Sequence, residues 1–290
     1  MIPTRCKTPL RYPGGKSRAT QKMFEYLPRM DTIKQYHEGF LGGGSVALAF
    51  SRHYPDIPVW VNDLYVPLFN FWCVLKDYGE QLADILVEYK LSAPTEEGRK
   101  ELFLQSKEVL SAFKESELEL AARFFIVNKC SFSGLTESSS FSKSASVGNF
   151  NMNGIENLRI YPRLMKNWKI TNGCYSKLLS NDPNTLVYLD PPYDIKDSLY
   201  GKKGSMHRGF DHEQFADNCN AHSAPTMISY NNDNWVKDRF DEWNDYTFPL
   251  TYTLRSTGTY TEDQAKRLEL LMCNYEVSKP LSVLDLLVEI

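Results

Sequence analysis

No apolar run in the 290 residues approaches the roughly eighteen that a membrane-spanning helix needs. The first stretch, MIPTRCKTPLRYPGGKSR, has no apolar signal core either, so a cytoplasmic protein without a membrane anchor is expected. Cysteine is sparse: six residues lie scattered, with no C-x-x-C pair and no histidine at zinc spacing, so neither a disulfide framework nor a metal site is expected. Charge of neither sign is in large excess. The net charge of −3 argues mildly against a partner as anionic as nucleic acid. That average conceals an asymmetry, because within the first thirty residues Arg5, Lys7, Arg11, Lys16, Arg18, Lys22 and Arg29 face a single acid, Glu25. Basic groups recur at Arg159, Arg163, Lys166, Lys169 and Lys177, and again at Lys202, Lys203 and Arg208. A P-loop is missing as well: the GGKS of residues 14–17 lacks the glycine that the pattern requires at position 10, where Leu10 stands. What remains there is a compact turn, in which Gly14 and Gly15 offer backbone donors and Lys16 a cation suited to a carboxylate or a phosphate.

Several segments read as parts of one sheet. IKQYHEGF (33–40) and PVWVND (58–63) are expected strands, and between them SVALAFSRHY has the apolar spacing of a helix packed on that sheet. Later strands are expected in TLVYLD (185–190), PTMISY (225–230) and RLELLMCNY (267–275). Gly42, Gly44 and Ala47 fit G-x-G-x-x-A at a strand-to-helix turn, and Asp63 ends the next strand about 20 residues on. That spacing suits a cofactor with a ribose, and NAD and S-adenosylmethionine both carry one. The fold class is therefore α/β, with a Rossmann-like sheet.

Residues 77–164 differ in character and read as a mainly helical insert, leaving 1–76 and 165–290 as the catalytic part. GRKELFLQSKEVLSAFK places Leu102, Val109, Leu110 and Phe113 near one helical face. Ser116 and Glu119 have capping-box spacing before a second helix. The serine-rich stretch 130–154, with Phe132, Phe141 and Phe150 interleaved, reads as a partly ordered binding loop.

TLVYLDPPYD poses the chemical question, since two prolines and a tyrosine stop a strand just after an acid. In open α/β sheets ligands and catalytic groups gather at the carboxyl ends of strands, where Asp190 is expected. Proline donates no backbone hydrogen bond and holds the residue before it extended. Pro191 and Pro192 thus make a stiff turn in which the Asp190 side chain and the Pro191 carbonyl are aimed acceptors beside the ring of Tyr193. A flat heterocyclic amine fits: two N–H donors for two acceptors, and a face for the ring. Gripping both hydrogens favours a pyramidal nitrogen with its lone pair free, and an in-line sulfonium such as S-adenosylmethionine could then donate a methyl group.

Six blocks carry a resemblance: L-R-Y-P-G-G-K (10–16), H-E-G-F-L-G-G-G-S-V (37–46), N-D (62–63), N-K-C-S-F-S-G-L (128–135), D-P-P-Y (190–193), and R-S-T (255–257) before L-E-L-L (268–271). In this order they resemble the Dam-like family of DNA adenine-N6 methyltransferases over nearly the whole chain. The resemblance implies S-adenosyl-L-methionine as cofactor and double-stranded DNA as partner, with the insert reading bases. It implies Tyr12, Lys16, Asp63 and Asp190 around the cofactor, Glu38 and Phe40 beside it, Gly14, Gly15, Gly42, Gly44 and Ser45 in the turns that hold it, and Tyr193 stacked on an adenine flipped from the duplex. Where the family usually has proline this chain has Gly39, which implies a looser loop. Cys174 and Tyr175 stand where many members have an Asp-Phe pair, so Tyr175 is expected to stack on the cofactor and Cys174 to accept weakly. Arg11, Asn128, Lys129, Arg159 and Arg163 are candidates for phosphate or base contacts, and Ser133, Ser138 and Asn149 for polar contacts. A cognate restriction endonuclease is a candidate partner. Competing classes are a methyltransferase on RNA adenine, cytosine or a protein amide, a dinucleotide-dependent oxidoreductase, and a DNA-binding protein without catalysis.

Overall fold

The computed structural model describes residues 7–134, 139–193, 209–232, 234–249 and 268–277. Ser138, Arg5, Lys202, Lys203, Arg208 and the R-S-T block lie outside the described residues, as does the side chain of Ser133.

Seven strands form one sheet: β1 (Gln35–Glu38), β2 (Val59–Asp63), β3 (Trp168–Asn172), β4 (Thr185–Leu189), β5 (Thr226–Asn231), β6 (Asn244–Pro249) and β7 (Leu268–Cys273). Their order across the sheet is β3-β2-β1-β4-β5-β7-β6. The first five run parallel, while β7 pairs antiparallel with both β5 and β6. The order reverses between β1 and β4, and at such a switch point the loops leave in opposite directions and open a crevice at the carboxyl ends. The Rossmann-like α/β expectation is met. All five residues of β4 are buried, as a central strand covered on both faces requires. Alternation then splits its side chains: Leu186 and Tyr188 join the core on one face, Val187 and Leu189 that on the other.

Helix α1 (Thr20–Met23) precedes the sheet, and α2 (Ser45–His53) follows β1 through the glycine turn. Helix α3 (Val66–Ser92) starts with Pro67 in its first turn and is interrupted at Tyr78, whose φ of −134° and ψ of 30° are not helical. The expected boundary at residues 76 and 77 thus falls inside α3. Helices α4 (Glu96–Ala112) and α5 (Glu117–Cys130) pack against it, followed by the short α6 (Lys143–Gly148), α7 (Met152–Glu156) and α8 (Tyr161–Leu164). Ser116 caps α5, its Oγ accepting from the Glu119 N–H at 3.3 Å as the spacing predicts. Leu102 and Leu110 are buried, but Phe113 is exposed, because it ends α4 in the left-handed region at φ 50° and Phe103 fills the core instead. Leu102, Phe103, Phe124, Phe125 and Phe150 share one apolar core with Tyr36, Val59, Val61 and Leu186 of the sheet. Helices α9 (His212–Asn220) and α10 (Asn234–Arg239) follow, and Phe215 and Val236 join the core on the other face.

Candidate active site

At the carboxyl end of β4, Asp190 and Lys16 meet. The lysine Nζ donates to Asp190 Oδ1 at 2.9 Å and Oδ2 at 2.8 Å, and to the Gly14 carbonyl at 3.1 Å. The cation expected to suit a carboxylate or a phosphate has a carboxylate. Asp190 keeps 23% of its side-chain surface exposed. Burial raises its carboxyl to about 6; Lys16 opposes that rise and Glu269 adds to it. Asp190 is therefore not the open acceptor the sequence suggested. A carboxylate offers about four lone-pair sites, however, so oxygens engaged by one ammonium can still accept from an amine.

Tyr193 donates its hydroxyl to Glu269, its ring stacks on Tyr230 at 5.6 Å and 16°, and Lys16 Nζ lies 4.9 Å from its centre. Pro191 is buried, Pro192 half-buried. Glu269, with 2% exposure, sits 3.4 Å from Lys16. Sequence reasoning assigned no role to Glu269, Tyr230 or Asn62, although the first and last lie in two of the blocks quoted above. The signal for Glu269 was an acid inside the apolar run L-E-L-L-M-C.

Beside this centre the turn after β1 is built from close contacts. Gly42 and Gly44 have φ of 49° and 66°, which L side chains rarely adopt. A Cβ at Gly42 would lie 2.9 Å from the Tyr12 ring, and one at Gly44 would lie 2.7 Å from Trp72. The bareness of the glycines thus admits Tyr12 and Trp72. The expectation at Gly39 is corrected. Its N–H donates to the Tyr188 carbonyl at 3.1 Å, and the place of a Cβ is filled by Leu189 Cδ2 at 2.7 Å, so the turn is tight where looseness was expected.

Asp63 accepts from the Gly42 N–H at 2.8 Å and the Tyr65 N–H at 2.9 Å, and burial raises its pKa. Glu38, with 2% exposure, accepts from the Tyr36 hydroxyl at 2.7 Å and from the Ala47 backbone in the first turn of α2; burial lifts it to about 8. Asn62 donates to the carbonyls of Gly39 at 3.3 Å and Gly173 at 2.8 Å, tying the loops after β1 and β3 to β2. Phe40 stacks on Tyr175 at 5.1 Å, and Asn218 donates to the Tyr175 hydroxyl. Cys174 is exposed and its sulfur accepts from Ser176 Oγ. Ser45 opens α2, half-buried, near Gly15.

The segment from Thr8 to Lys16 arches over this end of the sheet. Thr8 donates to the Gly43 carbonyl, Arg11 bonds to the insert, and Lys16 reaches Asp190. Asn128, expected at a DNA surface, is 1% exposed: it accepts from the Arg11 N–H at 2.9 Å and donates to the carbonyls of Arg11 at 2.7 Å and Gly134 at 3.0 Å. It joins the arch to the insert and does not reach solvent. The Arg11 guanidinium donates to the Ser131 carbonyl at 2.7 Å. Beside it Lys129 lies 5.2 Å from the Phe125 ring centre, lowered to about 8 by burial and then by Arg11. Asn149 is half-buried at the end of α6.

Two basic candidates are elsewhere. Arg159 is held by Glu80 at 2.7 Å, Asp84 at 2.7 Å and Glu156 at 2.8 Å, which raises its pKa and leaves three carboxylates around one cation. That surrounding suits no phosphate. Arg163 is exposed on α8, which leads into β3 and so lies toward the amino end of the strands, opposite Asp190.

Among the described residues no group of three or more His, Cys, Asp or Glu could hold a metal ion, and no helix is long and apolar enough to cross a membrane.

Comparison with known proteins accounts for these blocks. The rRNA methyltransferase aviRa from Streptomyces viridochromogenes is similar at 15% identity and a TM-score of 0.33, covering 93% of this chain and 91% of that one. The Type II methyltransferase M.MjaIII of Methanocaldococcus jannaschii is 28% identical over 196 residues, which is 63% of this chain and 68% of that protein. The model of the D12 class N6 adenine-specific DNA methyltransferases matches residues 12–254, from Tyr12 of the arch past the Asp190 turn. The oxidoreductase reading falls with that match: the chain belongs to the D12 class N6 adenine-specific DNA methyltransferase family.

Proposed function

We propose that this adenine-N6 DNA methyltransferase takes its methyl group from S-adenosylmethionine held at the carboxyl ends of β1, β2 and β4, and transfers it to an adenine turned out of the duplex onto the Asp190–Tyr193 turn. The observation that carries the reading is that Lys16, from a distant segment, meets Asp190 and Tyr193 of one turn at that crevice. The residues fit the cofactor. Asp63 and Asp190 bring carboxylates to the crevice, which suits a ligand bearing a sulfonium and an ammonium. Phe40 and Tyr175 offer aromatic surface, and Leu64, 60% exposed just after Asp63, adds an apolar edge for a flat ring. When bound, the sulfonium supplies an electrophilic methyl group and leaves as a neutral thioether.

The chain's own residues do the rest. The Asp190 carboxylate and the Pro191 carbonyl accept the two amine hydrogens and orient the nitrogen; Tyr193 supports the base. As the N–C bond forms the amine must lose one proton. Asp190, ionised above about 6, accepts it and passes it to solvent through its exposed edge. Lys16 fixes that carboxylate meanwhile. DNA is held from the side of the arch, with Arg11 and Lys129 as the proposed phosphate contacts and the insert (77–164), its serine-rich loop including Ser133, Ser138 and Asn149, as the base-reading part.

Asp190→Ala is expected to abolish transfer of tritiated methyl from S-adenosylmethionine to DNA, while S-adenosylhomocysteine still raises the melting temperature. Undiminished transfer by that variant would overturn the reading. A cognate restriction endonuclease is proposed as companion because the relative M.MjaIII is a Type II methyltransferase. A source-cell extract that cuts unmethylated but not methylated DNA is the expected result, and equal cutting of both would remove it.

A further inference from the structure

We infer that Glu269 is a positioning residue for methyl transfer: from β7 it holds Tyr193 by its hydroxyl and shares Lys16 with Asp190, so that the acceptor and the aromatic ring of the same turn are set relative to each other. The inference rests on the reading above, in which Asp190 and Tyr193 receive the adenine.

An ionisable side chain has no structural reason to sit in this strand. The next four residues, Leu270, Leu271, Met272 and Cys273, are all at most 1% exposed and apolar, and Glu269 itself is 2% exposed. A carboxylate so placed costs stability unless it is paired and hydrogen-bonded. Its partners include those of the site: the Tyr193 hydroxyl donates to Oε1, and Lys16 Nζ lies 3.4 Å from the same oxygen while bonding both oxygens of Asp190. The direction of β7 explains how it gets there. Because β7 is antiparallel to β5, its first residues lie at the carboxyl end of the parallel strands; Glu269 is in register with Asn231, the last residue of β5. A parallel strand in that slot would deliver its beginning to the opposite end.

The geometry restrains the Tyr193 ring at two points. Its hydroxyl is fixed by Glu269 and it stacks on Tyr230 at 5.6 Å and 16°. With the hydroxyl released, the ring could pivot on Tyr230 and the base resting on it would shift with respect to Asp190. A shift of about 1 Å in a reacting pair costs about a hundredfold in rate. The charged and titratable groups around Asp190 among the described residues include Lys16, Tyr36, Glu38, Tyr188, Tyr193 and Glu269. Of these Glu269 both opposes ionisation of Asp190 and draws on Lys16.

Two variants test this in the full-length protein, with single-turnover methylation of a duplex followed across pH. Glu269→Gln keeps the shape and removes the charge; Tyr193→Phe keeps the ring and removes the hydroxyl. Each is expected to slow transfer by roughly ten- to a hundredfold. Their combination should lose less than the product of the two, because both weaken the same link, a neutral amide oxygen accepting less strongly than a carboxylate. Glu269→Gln should also move the acid limb of the rate profile below its position in the parent protein, since a carboxylate relieved of a negative neighbour ionises more easily. A residue that merely stabilised β7 would lower the melting temperature but would leave the limb in place, and its loss would multiply with that of Tyr193→Phe. Either of those results, or a parental rate for Glu269→Gln, overturns the inference. Should Glu269→Gln fail to fold, a parental rate for Tyr193→Phe does so. Failure of the underlying reading is separable, because it shows as activity in Asp190→Ala, whereas an inactive Asp190→Ala beside a parental Glu269→Gln removes Glu269 alone.

Discussion

The end of β4 and the rim beside the insert are built on opposite imbalances of charge. Around Asp190 the buried groups are chiefly acids, Asp63 and Glu269 with it and Glu38 holding its proton up to about 8, and Lys16 stands between two of the carboxylates. At the rim Arg11 and Lys129 lie side by side, one donating to a carbonyl and the other lying against a ring. Each arrangement raises the energy of the chain alone and would be relieved by a counter-charge, which in the proposed function is a sulfonium in one case and a phosphate in the other. Arg159 shows what a basic residue looks like when that need is met inside the protein, with three carboxylates in contact.

Four measurements break or sharpen the contrast. Replacing Arg11 and Lys129 together by alanine is expected to weaken DNA binding most, and to reduce the slope of log affinity against log salt by about two, close to one per phosphate contact. Fluorescence anisotropy at several salt concentrations measures both, and an unchanged slope would mean the rim meets no phosphate. Lys129 alone gives a pH signature. Its pKa is lowered to about 8, so the ammonium proposed to bind phosphate is lost as pH rises through that value, and affinity should fall there. Lys129→Arg should abolish that fall.

On the carboxylate side, Glu38 is lifted from 4.5 to about 8. The folded state keeps its proton over that range and the unfolded chain does not, so Glu38 adds stability below pH 4.5 that is lost as pH rises through about 8. The slope is at most about 1.4 kcal/mol per pH unit. Denaturant titrations of Glu38→Gln across pH should show a flatter profile than the parent. The smallest effect is expected at Arg159: its carboxylate partners are largely exposed, and such pairs contribute about 0–1 kcal/mol each. Arg159→Ala should lower the melting temperature slightly and leave the salt slope of DNA binding as it was.

Sequence and structure agree best where burial is deepest. β1, β2, β4, β5 and β7 were legible as apolar runs because both faces of the sheet are covered there. β3 and β6, the two edges, escaped notice: WKITN and NDYTFP present mostly half-exposed or exposed side chains, and an edge strand needs few apolar residues to hold its place. Within the site, the Asp-Pro-Pro-Tyr turn, Lys16 and Asp63 could be read from the chain, since stiffness and charge are local properties. The fate of each arginine could not. Arg159 finds Glu80 and Asp84 more than seventy positions away, and Asn128 is turned inward by Arg11 on a distant segment, so residue type alone says nothing of which partner arrives first.

The Leu189 methyl group lodged where Gly39 has no side chain links the neighbouring strands β1 and β4 as a volume exchange. Gly39→Ala would press on the end of the Leu189 side chain and come close to Tyr175, and Leu189→Ala is expected to relieve the first of these contacts. A substitution on either strand therefore unsettles the other, by contact when Gly39 gains a side chain and by a void when Leu189 loses one.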